Sequence, residues 1–88
     1  MTHKKITASA DDVLSGQKII LGARLVAGAT AAASAILFNG AQTAALDFCK
    51  LLADTAGVDY DSFAEGMSYS AIGVTLAGAG AILYIYYA

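Results

Sequence analysis

Few side chains in this sequence have the type and spacing that acid–base, nucleophilic or metal chemistry requires. The single histidine is His3, near the start of the chain, and the single cysteine, Cys49, has no second metal ligand close to it in sequence. A serine or cysteine nucleophile needs a neighbouring base, and a metal site needs clustered His, Cys, Asp or Glu side chains. The sequence therefore predicts a protein that is not an enzyme, with no catalytic, cofactor-binding or metal site.

Two other patterns have suitable residue types in an unsuitable setting. Asp59 and Asp61 pair two carboxylates, but they follow Gly57 in a segment whose composition indicates a short turn with solvated acids. Gly78 and Gly80 are spaced like glycines of a phosphate-binding loop, but they lie in a long apolar segment without the strand or loop that such a cradle requires. We therefore interpret Gly57, Asp59 and Asp61 as turn residues.

The elements that must position these side chains are unusually apolar. Residues 66–88 contain no charged side chain, and residues 25–46 form a second uncharged stretch. Either is long enough to cross a bilayer as a helix. Of the 88 residues, 58% are hydrophobic and 14% are charged, whereas ordinary soluble domains carry about 25% charged residues. The excess apolar surface is expected to meet lipid, copies of the same protein, or both.

The local stop signals predict an all-α fold, a hydrophobic helical hairpin in a single domain, residues 1–88. Residues 1–8 are expected to be mobile or extended. Residues 9–56 are expected to be helical with a break at Asn39-Gly40, since both residues tolerate the conformation that ends helices. A tight turn follows at 57–61, and a capping-box pattern at 62–65 begins an apolar helix over 62–87. Strand-like alternation is evident only in the aromatic tail, Leu83–Tyr87.

Small residues recur every fourth position on both predicted helices, which would let helix backbones approach closely in a helical homopolymer. These helix-packing candidates are Ala23, Ala27, Ala31 and Ala35 on the first helix, and Gly73, Ala77 and Ala81 on the last.

Basic residues are concentrated on the N-terminal side of the chain, whereas the connection between the long stretches is acidic. Lys4, Lys5, Lys18 and Arg24 are candidates to contact a lipid phosphate or a nucleic-acid backbone. Arg24 lies at the border of the apolar stretch, where it would extend to the helix end, bind an anion, or pair with an acid of a neighbouring subunit.

A small hairpin of two apolar spans, rich in alanine and glycine, resembles the pilins of conjugative, type IV secretion-like systems, including archaeal DNA-transfer pili. The resemblance covers most of the chain at the level of architecture and composition. It implies a structural subunit that is stored in the membrane and then assembled into an extracellular filament on the cell surface. It also implies the protein itself and membrane lipid as partners, bound lipid in place of a cofactor, and nucleic acid as cargo.

Two other functions remain open. The coat protein of a filamentous or rod-shaped virus would turn Lys4, Lys5 and Arg24 toward a packaged genome and the acidic turn outward, placing the protein in a virion. A small membrane accessory protein with two spans would explain the apolar stretches but not the rows of small residues. The sequence therefore predicts a self-assembling structural subunit, with pilin first and coat protein second.

Overall fold

Along the segments predicted to be helical, side chains alternate between the interior and the surface, which is the period of a β-strand. Ala33, Ala35 and Leu37 are buried, whereas the residues between them are partly exposed. At the end of the chain, Leu83 and Ile85 are fully buried, and the tyrosines beside them lie on the opposite face. Each of these segments therefore has one apolar face and pairs with neighbouring strands.

The computed structural model describes residues 2–40 and 47–88, without the side chains of residues 11–18 and 64–70. Within those ranges it is an all-β protein. The strands are β1 (Thr2–Ile6), β2 (Ala10–Val26), β3 (Ala33–Asn39), β4 (Asp47–Ala53), β5 (Val58–Ala77) and β6 (Ile82–Tyr87).

The predicted helical hairpin is therefore wrong. The described part of 9–56 forms β2, β3 and β4, and 62–87 falls within β5 and β6; residues 41–46 lie outside the described chain. No segment of the described chain forms a helix with the length and hydrophobicity needed to span a bilayer. The prediction of transmembrane helices in a helical pilin is corrected together with the fold.

The physical reason is that alanine's helix preference over other ordinary residues is at most about 0.7 kcal/mol per residue, which strand pairing and burial override. Glycine costs about 1 kcal/mol in a helix interior, and nine glycines are distributed through this chain. A long uncharged run can also contain strands and their connecting loops, as residues 66–88 contain the end of β5 and β6, so length and hydrophobicity alone do not identify a helix.

All strand pairs are antiparallel, and the order across the sheet is β1-β6-β2-β5-β3-β4. The long strands β2 and β5 lie side by side at the centre of this arrangement. The end of β2 lies between the start of β5 and β6, where Val26 is opposite both Val58 and Ile82. The end of β5 lies between β2 and β3, where Val74 is opposite Ala10 and Leu37.

The sheet folds over on itself because its long strands bend. A straight strand rises about 3.3 Å per residue, so the 20 residues of β5 would be much longer than the largest dimension of the molecule, 36 Å. Register shifts interrupt the β2–β5 pairing at three places, and such irregularities bend strands. The result is two layers. The first contains β1, β6, the end of β2 and the start of β5; the second contains β4, β3, the end of β5 and the start of β2.

A single apolar core fills the space between the layers. Leu25, Leu83 and Ile85 contribute from the first layer, and Leu37 and Val74 from the second, and none of these five is exposed to solvent. No buried polar or charged residue is found among the described side chains. The polar groups available for binding therefore lie on the outer faces and edges.

Candidate functional site: the tyrosine face

The outer face of the first layer collects aromatic and basic side chains from four neighbouring strands. Residues directly opposite each other in antiparallel strands point to the same side of the sheet. Tyr84 of β6 is opposite both Lys5 and Arg24, and Arg24 is in turn opposite Tyr60. Tyr86 is opposite His3 and Gly22. We call this surface the tyrosine face; it consists of His3, Lys5, Arg24, Tyr60, Tyr84 and Tyr86.

The rings of this face contact one another across the strands. The centroid of the His3 ring lies 5.7 Å from that of Tyr84 and 6.0 Å from that of Tyr86. The Tyr60 and Tyr86 centroids are 6.4 Å apart. These distances are in the range of favourable aromatic pairs. The rings therefore form a connected surface rather than isolated exposed side chains.

Gly22 makes room for this arrangement. A Cβ atom at this position would lie 3.0 Å from the Tyr60 hydroxyl and 2.9 Å from the Asp61 carbonyl oxygen. A larger residue would require the β5 backbone at Asp61 and the tip of the Tyr60 side chain to shift. Glycine in the middle of a strand weakens it, and here it permits a close approach.

Arg24 lies at the centre of the tyrosine face and is half-buried. Its guanidinium carbon is 4.9 Å from the centroid of the Tyr84 ring, which is a cation–π geometry. Its Nε atom is buried and has no hydrogen-bond partner among the described residues. Arg24 therefore holds a positive charge against an aromatic ring, with one donor left unpaired.

The described acids near this layer point away from the tyrosine face. Asp59 is opposite Leu25 and Asp61 is opposite Ala23, and both partners belong to the buried core side of the sheet. Among the described side chains, the tyrosine face therefore carries Lys5, Arg24 and His3 without a carboxylate. This separation occurs in a chain whose formal net charge is −2.

Asp59 and Asp61 instead face the edge of β4. The backbone N–H of Leu52 donates to Asp59 Oδ2 at 3.0 Å. The Cys49 thiol donates to Asp61 Oδ2 at 3.7 Å. Burial, followed by the charge of Asp61, the hydrogen bond to it and the charge of Asp59, raises the pKa of Cys49 from 9.0 to about 12. These two carboxylates are structural, and they hold the thiol in its neutral form.

The residues predicted to form rows for helix packing lie on strands and loops, not on helices. Four of them are buried in strands or next to them, which are Ala23, Ala27, Ala35 and Ala81. Gly73 is buried in β5, Ala77 is exposed at its end, and Ala31 is partly exposed in the loop after β2. Residues four apart on a strand point to the same side of the sheet, so this spacing is as compatible with strands as with helices and does not identify a helix-packing row.

The predicted cation cluster is brought together only in part. Lys5 and Arg24 flank Tyr84 on the tyrosine face. Lys4 is exposed on the other side of β1, opposite Ile85. The side chain of Lys18 lies outside the described residues. The turn is found at 54–57, where the Gly57 N–H donates to the Asp54 carbonyl, and Asp59 and Asp61 are in β5.

Sequence reasoning missed Tyr60 and His3 as parts of a surface. Alternation in the Leu83–Tyr87 tail was the signal that could have found the face, because it places Tyr84 and Tyr86 on one side of a strand. Lys5 and Arg24 could not be joined to them without the strand order. Within the described ranges the face is an open surface, and no cavity is found there.

Comparison of the chain with protein-family models, with curated proteins and with solved structures finds no match.

Proposed function

We propose that this protein is a non-enzymatic structural subunit that assembles with copies of itself into a filament. The observation that carries the proposal is an apolar, nearly uncharged end of the molecule. There the three loops 27–32, 54–57 and 78–81 lie together, and we call this surface the loop end. Ala27 N–H donates to the Gly57 carbonyl, and Ala56 N–H donates to the Gly28 carbonyl.

The loop end combines small residues with large exposed apolar side chains. Asp54 is the one charged residue in the sequence of the three loops. Leu52 and Val58, on either side of the turn at 54–57, are 75% and 58% exposed. Exposed apolar surface of this kind marks interaction sites when it is contiguous. A surface with short side chains permits close contact between subunits. Burial of Leu52 and Val58 against a neighbouring subunit would stabilise that contact.

Growth through the sheet edges is disfavoured, which directs assembly to the loop end. The edge strand β1 carries the exposed side chains of Lys4 and Lys5. On the edge strand β4, the Leu52 N–H is already bonded to Asp59. Lysines on an edge strand and inward-pointing charges are both devices that prevent strands from pairing with other chains. The proposed contact therefore does not involve addition of strands.

The pilin resemblance rests on two helices, whereas the described chain is built from strands. We therefore retain the self-assembling subunit and not the helical mode of packing. A filament on the cell surface and a virion are both settings in which such a subunit would function. Membrane lipid as a partner stays a prediction.

A second candidate, a coat protein that encloses nucleic acid, is supported by the tyrosine face. Its cations lie on a side of the sheet that lacks described carboxylates, as contact with a densely anionic polymer requires. Assembled particles of a coat protein would contain nucleic acid that nuclease does not degrade. Particles without nucleic acid would favour the empty filament.

Self-assembly is tested by sedimentation velocity and negative-stain electron microscopy of purified protein over a range of concentrations. We expect the wild type to form large, ordered particles, and Leu52→Asp and Val58→Asp to disperse them, because each places a charge in the proposed contact. Lys50→Gln is the matched control, since Lys50 is an exposed residue of the same strand as Leu52. A wild type that stays monomeric, or particles unaffected by both aspartates, would contradict the proposal.

A further inference from the structure

We infer that the tyrosine face binds single-stranded nucleic acid, with bases stacked on its tyrosine rings and backbone phosphates next to Lys5 and Arg24. The inference rests on the second candidate function, since it names the ligand that such a coat would contact. It goes further by specifying single strands and the residues that select them.

The aromatic part of the face has suitable dimensions for unpaired bases. Neighbouring strands are about 4.8 Å apart, so the four strands that carry His3, Tyr86, Gly22 and Tyr60 span roughly 14 Å. That distance accommodates about two or three stacked bases, which is the number that sheet-based RNA-binding surfaces hold. Tyr60, at 52% exposure, is the most accessible of the three tyrosine rings of the face. Bases in a duplex are already stacked and do not present a free face to such rings.

The basic part of the face supplies charge where a nucleic-acid backbone would run. Lys5 and Arg24 lie on either side of Tyr84 along one line of opposed residues. Arg24 holds its guanidinium 4.9 Å from the centroid of the Tyr84 ring, which keeps its positive charge at this face. Alternating cations and aromatic rings are the combination that non-specific single-strand binding requires.

Charge distribution favours a nucleic acid over an acidic or neutral partner of another class. Aromatic rings alone would also suit a glycan or a protein surface. On this face, however, the described polar groups are cations and hydroxyls, with carboxylates confined to the opposite side of β5. The ligand therefore has to be anionic and to present flat, unpaired π surfaces, and single-stranded nucleic acid is the polymer that meets both requirements.

The test is fluorescence anisotropy with a labelled oligothymidine, at protein concentrations where sedimentation velocity detects no particles, so that binding by the wild type and the variants does not depend on assembly. We expect Tyr60→Leu to weaken binding about fivefold or more, since stacking on one ring is worth about 1–3 kcal/mol per base. Tyr60→Phe retains the ring and is expected to preserve most of the affinity. Lys5→Gln should weaken binding. It should also reduce the slope of log affinity against log salt concentration by about one, the value expected for the loss of one phosphate contact.

Lys50→Gln, a lysine outside the tyrosine face, is the control and should leave affinity nearly unchanged. Circular dichroism of each variant separates loss of binding from loss of fold. Absence of wild-type binding would overturn the inference. The inference would also be overturned if the protein bound a duplex or dextran sulfate as tightly as oligothymidine and Tyr60→Leu did not change the affinity. Those results would show attraction to any polyanion.

A Tyr60→Leu variant that changes the particle size and leaves oligonucleotide binding intact would assign the face to protein contacts, and would likewise reject the inference. The two proposals fail separately. Particles without protected nucleic acid would reject the coat function even if dispersed protein binds oligonucleotides. Loss of assembly in the loop-end variants would not decide the binding inference, because oligonucleotide binding is measured on dispersed protein.

Discussion

At the scale of single residues, burial and the contact with Asp61 together keep the Cys49 thiol protonated. The pKa of Cys49 is raised to about 12 by burial and by the nearby carboxylates. The folded protein therefore holds the thiol proton more tightly than the unfolded chain. The stability from this difference is fully present below pH 9.0 and is lost progressively as pH rises from there toward 12.

Alkylation by iodoacetamide should therefore be much slower in the folded protein than in urea, at a pH near the ordinary thiol pKa. Asp61→Asn should increase the folded-state rate, because it removes a negative charge that raises the pKa. Asp54→Asn, an exposed acid of the neighbouring turn, serves as the control. Equal rates in folded wild type and Asp61→Asn would show that burial alone protects the thiol. We expect no intermolecular disulfide at Cys49.

Asp59 has a different role at the same edge, because it satisfies the backbone N–H of Leu52. Asp59→Ala should reduce the free energy of unfolding by about 1 kcal/mol and increase aggregation, since it opens the β4 edge to pairing. Urea denaturation and light scattering measure the two effects. Asp54→Ala should change neither the free energy of unfolding nor aggregation. Equal behaviour of the two variants would contradict the role of Asp59 in protecting the β4 edge.

At the scale of elements, the three loops at one end depend on Gly28. A Cβ atom at this position would lie 2.2 Å from the carbonyl oxygen of Ala79, so alanine cannot be accommodated without moving a backbone. Gly28→Ala should lower the free energy of unfolding by about 1–3 kcal/mol, measured from the urea midpoint at an unchanged slope. Ala29→Ser, at the exposed neighbouring position, should shift it by less than about 0.5 kcal/mol. An unchanged midpoint for Gly28→Ala would mean that the loops separate easily.

The same elements show what the sequence could and could not predict. Tyr84 and Tyr86 alternate with Leu83 and Ile85, so the last strand was detectable from its period of two residues. The described residues of 25–46 and of 66–88 were misread because a long uncharged run can contain strands and their connecting loops as well as a membrane helix. The tyrosine face was beyond prediction, since it requires Lys5, Arg24 and Tyr60 to meet through pairings between distant parts of the chain.

At the scale of the whole molecule, the absence of described helix leads to a direct spectroscopic prediction. Far-ultraviolet circular dichroism should show a single β-type minimum, because the described chain is dominated by antiparallel strands. The measurement is best made on the dispersed Leu52→Asp variant and repeated on the wild type, so that assembly does not obscure the signal. A helical double minimum would support the helical hairpin predicted from the sequence and contradict the antiparallel sheet.

The pairing of distant strands also determines when the protein can fold. Thr2 is opposite Tyr87, and Ala10 is opposite Val74. Among the described strands, only β3 and β4 are paired and also consecutive in sequence. Such topologies fold slowly because loop closure precedes most of the stabilising contacts. During synthesis, β2 exposes its apolar residues, including Leu25, until β5 and β6 have left the ribosome. The yield of native protein in a cell will therefore depend on chaperone capacity and growth temperature more than on final stability.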